Sequence, residues 1–189
     1  MAAALQFRPV TRNTFADFEM LFGAPGAPKY CWCMAFRATS AEVKDSKGPA
    51  RHRQIRERVD NDVPIGLIGY RDGQPAAWVS VAPKESFRRL GGPPTNPGET
   101  IWSLSCLFVP RRERGNGLAH ELIAAAIAHA KAEGADILEA YPVDPDAPSY
   151  RHMGFVPAFE RAGFTHAGPE GRRRHVMRLT MSAGDGGKP

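Results

Sequence analysis

Hydrophobic positions along the chain change period in a readable order. Leu5 to Val10 reads as a short first strand. Phe15, Phe18, Leu21 and Phe22 then recur at helical spacing and make one apolar face, with Thr11 or Asn13 placed to cap the helix. Gly23 to Lys29 breaks it. A second helix is predicted from about Pro49 to Val59, with Ile55 and Val59 four residues apart among exposed arginines. Ile65–Tyr70 and Ala76–Val81 flank Arg71-Asp72-Gly73-Gln74, a hairpin around an Asp-Gly turn. Residues 83–98 form a proline- and glycine-rich loop. Ile101–Val109 is almost continuously apolar, as a central strand covered on both faces would be. The helix predicted from about Gly117 to Glu133 buries Leu122, Ile123, Ala126, Ile127 and Ala130, and Gly134 supplies its left-handed end. A strand over Asp136–Val143, a short helix near Val156–Ala162 with Pro157 in its first turn, and a strand pair, Phe164–Ala167 with His175–Met181, complete the pattern.

The run Leu107 to Ile123 carries the chemistry. An apolar strand enters a basic turn and leaves it as an amphipathic helix. Amides in the first turn of a helix lack intrahelical partners, and the dipole adds positive charge there. Gly115 and Gly117 let a ligand approach the backbone, and Arg111, Arg112 and Arg114 add charges suited to phosphate oxygens. This is the seat of a pyrophosphate. A nucleoside-triphosphatase loop would need Lys-Ser or Lys-Thr where Leu118-Ala119 stands. A dinucleotide fingerprint would need a third glycine where His120 stands.

Arg114-Gly115-Asn116-Gly117-Leu118-Ala119 resembles the Arg/Gln-x-x-Gly-x-Gly/Ala signature of the GNAT acyltransferases, which grips the pyrophosphate of coenzyme A. An overlapping register, Arg112 to Gly117, also fits; the later one puts Leu122 and Ile123 where the family has helix-core residues. Phe159-Glu160-Arg161-Ala162-Gly163-Phe164 is similar to the family's closing Tyr-Glu-x-x-Gly-Phe, and Val176–Leu179 to its last strand. Cys31-Trp32-Cys33-Met34, Trp102–Cys106 and Glu139–Pro142 resemble a bacterial subgroup of largely unassigned acetyltransferases. The element order β-α-α-β-β-β-α-β-α-β-β agrees with this family. The resemblance implies a single α/β domain over residues 1–181, a mixed, mostly antiparallel central sheet flanked by helices, and a flexible tail over 182–189.

The same resemblance implies acetyl-CoA as acyl donor, direct transfer in a ternary complex, and two strands splayed apart to admit pantetheine. Main-chain groups of Leu107, Phe108 and Val109 would bond the pantetheine. The amides of Arg114, Gly115, Asn116, Gly117, Leu118 and Ala119 would hold the pyrophosphate. The implied acceptor is a small primary amine: a metabolite, amino acid or aminoglycoside-type antibiotic. A peptide or protein amine is the alternative, as is a non-catalytic acyl-CoA-binding protein. Trp32, Ser103 and Asp144 are expected near the acceptor, whose walls come from loops near 23–48, 84–98 and 168–174.

Acetyl transfer requires the amine to lose a proton and the departing thiolate to gain one. A free alkylamine has a pKa of about 10, so a carboxylate, or a water held by one, must collect that proton. Glu139 and Asp144 are the nearest carboxylates by fold. Glu139 shares a strand face with Ile137, Tyr141 and Val143; it either looks into the cleft or pairs with an arginine. The family's proton-donating Tyr is Phe159 here, so Tyr150, Tyr141 and His152 are the replacements.

Composition trims the alternatives. At 189 residues and 42% apolar content the chain is one globular domain. No run approaches the roughly 18 apolar residues of a membrane span, and the N-terminus does not read as a signal peptide. Three cysteines agree with a reducing cytoplasm. Cys31-x-Cys33 lacks the further ligands zinc would require, and no base is evident beside it for an acyl-cysteine route; it reads as a segment lining the cleft. A net charge of +5 suits an anionic cofactor. Arg172–Arg174 reads as a solvated hairpin tip or as a border of the acceptor site that favours an acidic or phosphorylated acceptor, rather than as a nucleic-acid site, since no aromatic residues interleave with it. His120 and His129 are expected on the helix's outer, exposed side, and Trp78 and Trp102 in the core or cleft. The partners expected are the amine acceptor and, at most, a second copy: monomer or homodimer, with neither nucleic acid nor membrane.

Overall fold

The computed structural model describes residues 4–88, 90–170 and 173–181. The expected tail beyond Met181 lies outside them. Its elements are β1 Gln6–Pro9, α1 Phe15–Gly23, α2 Gly48–Asp60, β2 Leu67–Arg71, β3 Gln74–Pro83, β4 Ile101–Phe108, α3 Leu118–Ala132, β5 Ile137–Ala140, α4 Val156–Arg161, β6 Thr165–Glu170 and β7 Arg174–Thr180. The strands form one sheet in the order β1-β2-β3-β4-β5-β7-β6. Only β4 and β5 run parallel; every other neighbour is antiparallel. This is the α/β, mixed and mostly antiparallel architecture that the resemblance implies.

The sheet is covered on both faces, and each helix buries its expected stripe except that Ile127, expected in the buried face of α3, is only half-buried at the edge of that layer. Phe15, Phe18, Leu21 and Phe22 of α1 and Ile55 and Val59 of α2 pack on Ile68, Tyr70 and Trp78. Leu122, Ile123, Ala126 and Ala130 of α3, with Val156 and Phe159 of α4, pack on Val79, Val81, Trp102, Leu104 and Leu138. Burying one Leu, Ile or Phe contributes about 1.5–3 kcal/mol, so these two layers supply the bulk of the driving force. Asp72 (φ +49) and Gly73 (φ +74) both take positive φ, as a two-residue turn matching the twist of its strands requires.

Four local expectations change. The residue before α1 is Thr14, and its hydroxyl donates to the Pro9 carbonyl and accepts the Thr11 amide, leaving the helix start without a side-chain cap. β5 ends at Ala140, short of Val143, because Pro142 offers the ladder no N–H. His129 is half-buried, because its ring lies edge-on against that of Trp102 at 5.4 Å. Its burial lowers its pKa. In the expected basic hairpin tip, Arg172 lies outside the described residues. Arg173 is exposed and donates to Ser149 Oγ, whereas Arg174 is half-buried with its guanidinium over the rings of Phe36 and Tyr150.

Candidate active site

β4 is the axis of the site. Its first half, Ile101–Leu104, pairs with Ile137–Ala140 of β5, and there the ladder stops. Among the described residues Cys106–Phe108 are paired only on the β3 side. Past Ala140 the chain turns off, and Val143 bridges to Phe155 and Arg174 instead. A wedge therefore opens between β4 and the continuation of β5. On the other side Ser80 faces Cys106 and Val81 faces Leu104, so Ser105 is the extra residue of a β-bulge. A bulge bends its strand and re-aims side chains. Here it sends Ser105 to Ser80 (Oγ–Oγ 2.9 Å) and Cys106 into the core beneath α1 and α2.

The basic turn follows. Residues 111–113 make a single 3-10 turn, Gly115 and Gly117 take φ of +85 and +73, and among the described residues no side chain caps α3. A Cβ at either glycine would meet nothing within 4 Å, so the space before the helix is open. Arg111, Arg112 and Arg114 are exposed. Arg114 donates through Nε to the Val109 carbonyl at 3.0 Å, and Asn116 Nδ2 donates to the Glu113 carbonyl at 3.3 Å. The half-buried Glu113 is anchored by Arg71, which braces the turn against β2.

Two cavities meet at this strand end and share Gly26, Ala27, Phe108 and Arg114. The outer one, about 690 Å³, lies beside Arg111, Arg112, Gln74 and the end of α1. The inner one, about 370 Å³, is lined by Ser105, Cys106 and Leu107 of β4, by Tyr30, Cys31, Cys33 and Phe36 of the α1–α2 loop, and by Arg51 and His152. A groove thus leads from the arginines of the turn to the opening of the sheet.

Residues 31–155 match the model of the acetyltransferase (GNAT) family, a span that includes the opened strands, the glycine turn and α3. The chain belongs to the GNAT acetyltransferase family. Solved structures of similar fold include a "histone acetyltransferase HPA2 and related acetyltransferase" from Corynebacterium glutamicum (TM-score 0.58, 16% identity, 96% of this chain and 98% of that one). A ribosomal-protein-alanine N-acetyltransferase from Brucella melitensis aligns at TM-score 0.57 and 20% identity, over 94% and 100% of the two chains. The PaiA N-acetyltransferase of Thermoplasma acidophilum, solved with coenzyme A, aligns at 0.54 and 10%, over 95% and 100%. No curated protein matches the chain. GNAT members use acetyl-CoA, and the opened sheet and helix start fit that group: a cleft for an extended thiol arm ends at first-turn amides that no side chain caps among the described residues.

Around this GNAT cleft the expected residues fall into separate places. Glu139 is fully buried and does not line either cavity. Its Oε1 accepts from Lys84 Nζ and from the Tyr141 hydroxyl, both at 2.6 Å, and its Oε2 accepts from Arg178 Nε at 2.6 Å. Tyr141 also meets Ser103 Oγ at 2.8 Å, so Ser103, Tyr141 and Glu139 form one buried chain. Burial, then the charge of Glu139, push the Tyr141 phenol well above its ordinary pKa. Of the two readings open for Glu139, this geometry is that of the ion pair. Gly92 packs over it: a Cβ there would stand 2.8 Å from Oε2.

Asp144 is held at 3.1 Å by His175 near the β7 end. Trp32 stacks on Phe22 and meets His52 edge-on, on the far side of the loop from the inner cavity. Tyr150, 40% exposed, takes a left-handed backbone conformation beside His152. Phe159 is buried against Phe164 and Gly154. His152 reaches the inner cavity and stacks near Phe36. Its ring keeps a solvent-facing side, yet crowding by the wall, then the charge of Arg174, pull its pKa below the ordinary imidazole value.

Lys84, Arg37 and Arg51 belong to no motif, and Arg178 lies in the last-strand segment without a role that its neighbours in sequence announce. The one available signal was electrostatic: a glutamate on an apolar strand demands buried cations somewhere.

Proposed function

We propose that this GNAT protein transfers the acetyl group of acetyl-CoA directly to a primary amine of a small molecule within a ternary complex. The observation that carries the reading is the end of the β4–β5 ladder at Leu104 and Ala140, beside both the inner cavity and the uncapped start of α3. Pantetheine would lie along the main chain of Leu107, Phe108 and Val109. The diphosphate would rest on the amides of Arg114, Gly115, Asn116, Gly117, Leu118 and Ala119, with Arg111 and Arg112 at its edge. The thioester would then reach Ser105 and Cys106, facing Tyr30, Phe36 and His152 across the cavity.

His152 is the cavity-wall group able to take the amine proton, directly or through water. Its depressed pKa keeps it neutral near pH 7. Tyr150 neighbours His152, and in this reading its phenol would return a proton to the coenzyme A thiolate. Among the described residues the inner cavity is lined by Arg51, Arg114 and His152 and by no Asp or Glu. Such a wall repels a polycation, so the reading favours an amine bearing an anionic or aromatic part over an amino sugar.

Coenzyme A release is the test, measured with amino acids, aromatic and anionic amines, polyamines, aminoglycosides and short peptides. The expected result is turnover with anionic or aromatic small amines and little with aminoglycosides. A clear preference for peptides would move the acceptor to that class. Tight acetyl-CoA binding without release from any amine would make this a binding protein.

A further inference from the structure

The α1–α2 connection is long for a helix–helix link, and it drives Cys33, Met34, Arg37 and Ala38 into the protein. Trp32 and Cys33 both adopt left-handed conformations (φ +46 and +59), at a cost of order 1 kcal/mol each for residues with a Cβ. This backbone turns Cys33 inward, into the apolar cluster against which Cys106, just past the bulge of β4, also packs, and the two residues line the same cavity. The bulge and the strained loop thus bring together two sulfurs that lie far apart in sequence.

Arg37 enters the same space at 2% exposure. Its Nη2 donates to the Ile65 carbonyl (2.7 Å) and to Ser80 Oγ (2.8 Å). Its Nε and Nη1, and the indole nitrogen of Trp78, have no partner of good hydrogen-bond geometry among the described residues. No carboxylate pairs with this guanidinium among them either. A buried cation needs a counter-charge, and the ionisable atom beside both Arg37 and Trp78 is the Cys33 sulfur. The neighbouring Cys106 thiol, then the charge of Arg37, lower the pKa of the Cys33 thiol against the effect of burial. Cys106 is pushed well above its ordinary value and keeps its proton. Both sulfurs line the inner cavity, so a small oxidant has access.

We propose that Cys33 and Cys106 form a hydroperoxide-reactive dithiol whose disulfide ties the α1–α2 loop to β4. The Cys33 sulfur attacks one oxygen of hydrogen peroxide, the O–O bond breaks, and hydroxide leaves to become water. The resulting sulfenic acid is attacked by Cys106 Sγ: the S–S bond forms, the S–O bond breaks, and the Cys106 proton leaves with the hydroxide as a second water. Two electrons pass from the thiols to the peroxide. Reduction restores the anion that faces Arg37, so the reduced state is favoured and a dithiol reductant opens the bond readily.

The test is thiol chemistry, independent of acetyl transfer. Treating the full chain with hydrogen peroxide should lower the thiols counted in denaturant from three to one, and dithiothreitol should restore them. Non-reducing peptide mapping should give the Cys33–Cys106 pair, lighter by two hydrogens. Cys106→Ser should stop at a Cys33 sulfenic acid that dimedone captures, and Cys33→Ser should keep both remaining thiols. Arg37→Gln should slow Cys33 oxidation at pH 7 about fivefold, loss of thiolate outweighing the gain in intrinsic nucleophilicity. A folded protein that keeps all its thiols under peroxide, a link to Cys31 instead, or thiol loss in Cys33→Ser at the unsubstituted rate would overturn the proposal.

Discussion

Replacing Glu139 by Gln separates the two roles that a glutamate on β5 can have. The carboxylate is 0% exposed, while its partners Lys84 and Arg178 are 22% and 15% exposed. Gln keeps the shape but deletes the charge, and its amide turns a donor toward one of two cations. Breaking a buried pair costs about 3–5 kcal/mol; because both cations retain some water, the lower end, about 3 kcal/mol, applies here. For a domain of this size each kcal/mol shifts Tm by roughly 2–4 °C, so Tm should fall by about 10 °C. Acetyl-CoA affinity at 25 °C should change little, since the network lies off both cavities. Differential scanning calorimetry beside isothermal titration measures both quantities. A Tm shift under about 2 °C together with a hundredfold loss of kcat would refute the structural reading and make Glu139 a proton acceptor.

Gly117→Glu should abolish acetyl-CoA binding in titration calorimetry, because charge and bulk enter the open turn. The positive φ adds about 1–2 kcal/mol of strain, which leaves the protein folded. Gly117→Asn, a residue that tolerates this conformation, should still bind, and equal loss in both would point to collapse of the turn. His152→Gln should lower kcat about 10²-fold and remove an acid limb of kcat/KM lying below the usual imidazole value; an unchanged pH profile would exclude the histidine as base. Glu42, held down to about 2 by Arg58 (two contacts of 2.8 Å), contributes stability that is present above about pH 4.5 and is lost as pH falls toward 2. Melting curves of Glu42→Gln should show a flatter decline across that window, and an unaltered slope would count against the pair.

What was legible in the sequence is what neighbouring residues settle among themselves. The helical spacing of Phe15, Phe18, Leu21 and Phe22, the Asp72-Gly73 turn, and the step from apolar β4 through two glycines into α3 are local steric and hydrogen-bonding facts. The order of elements and the open anion seat at Gly117 could therefore be read from contiguous residues. The rest depended on register between distant strands. Nothing near Glu139 announces that Lys84 and Arg178 will meet it, and nothing near Trp32 shows that it stacks on Phe22 on the far side of its loop. The bulge at Ser105 sends Cys106 toward Cys33, and that meeting leaves Arg37 facing a sulfur in place of a carboxylate. Spacing along a chain specifies which face a side chain occupies; which charges and thiols share a dry interior is decided only when the sheet closes and water is expelled.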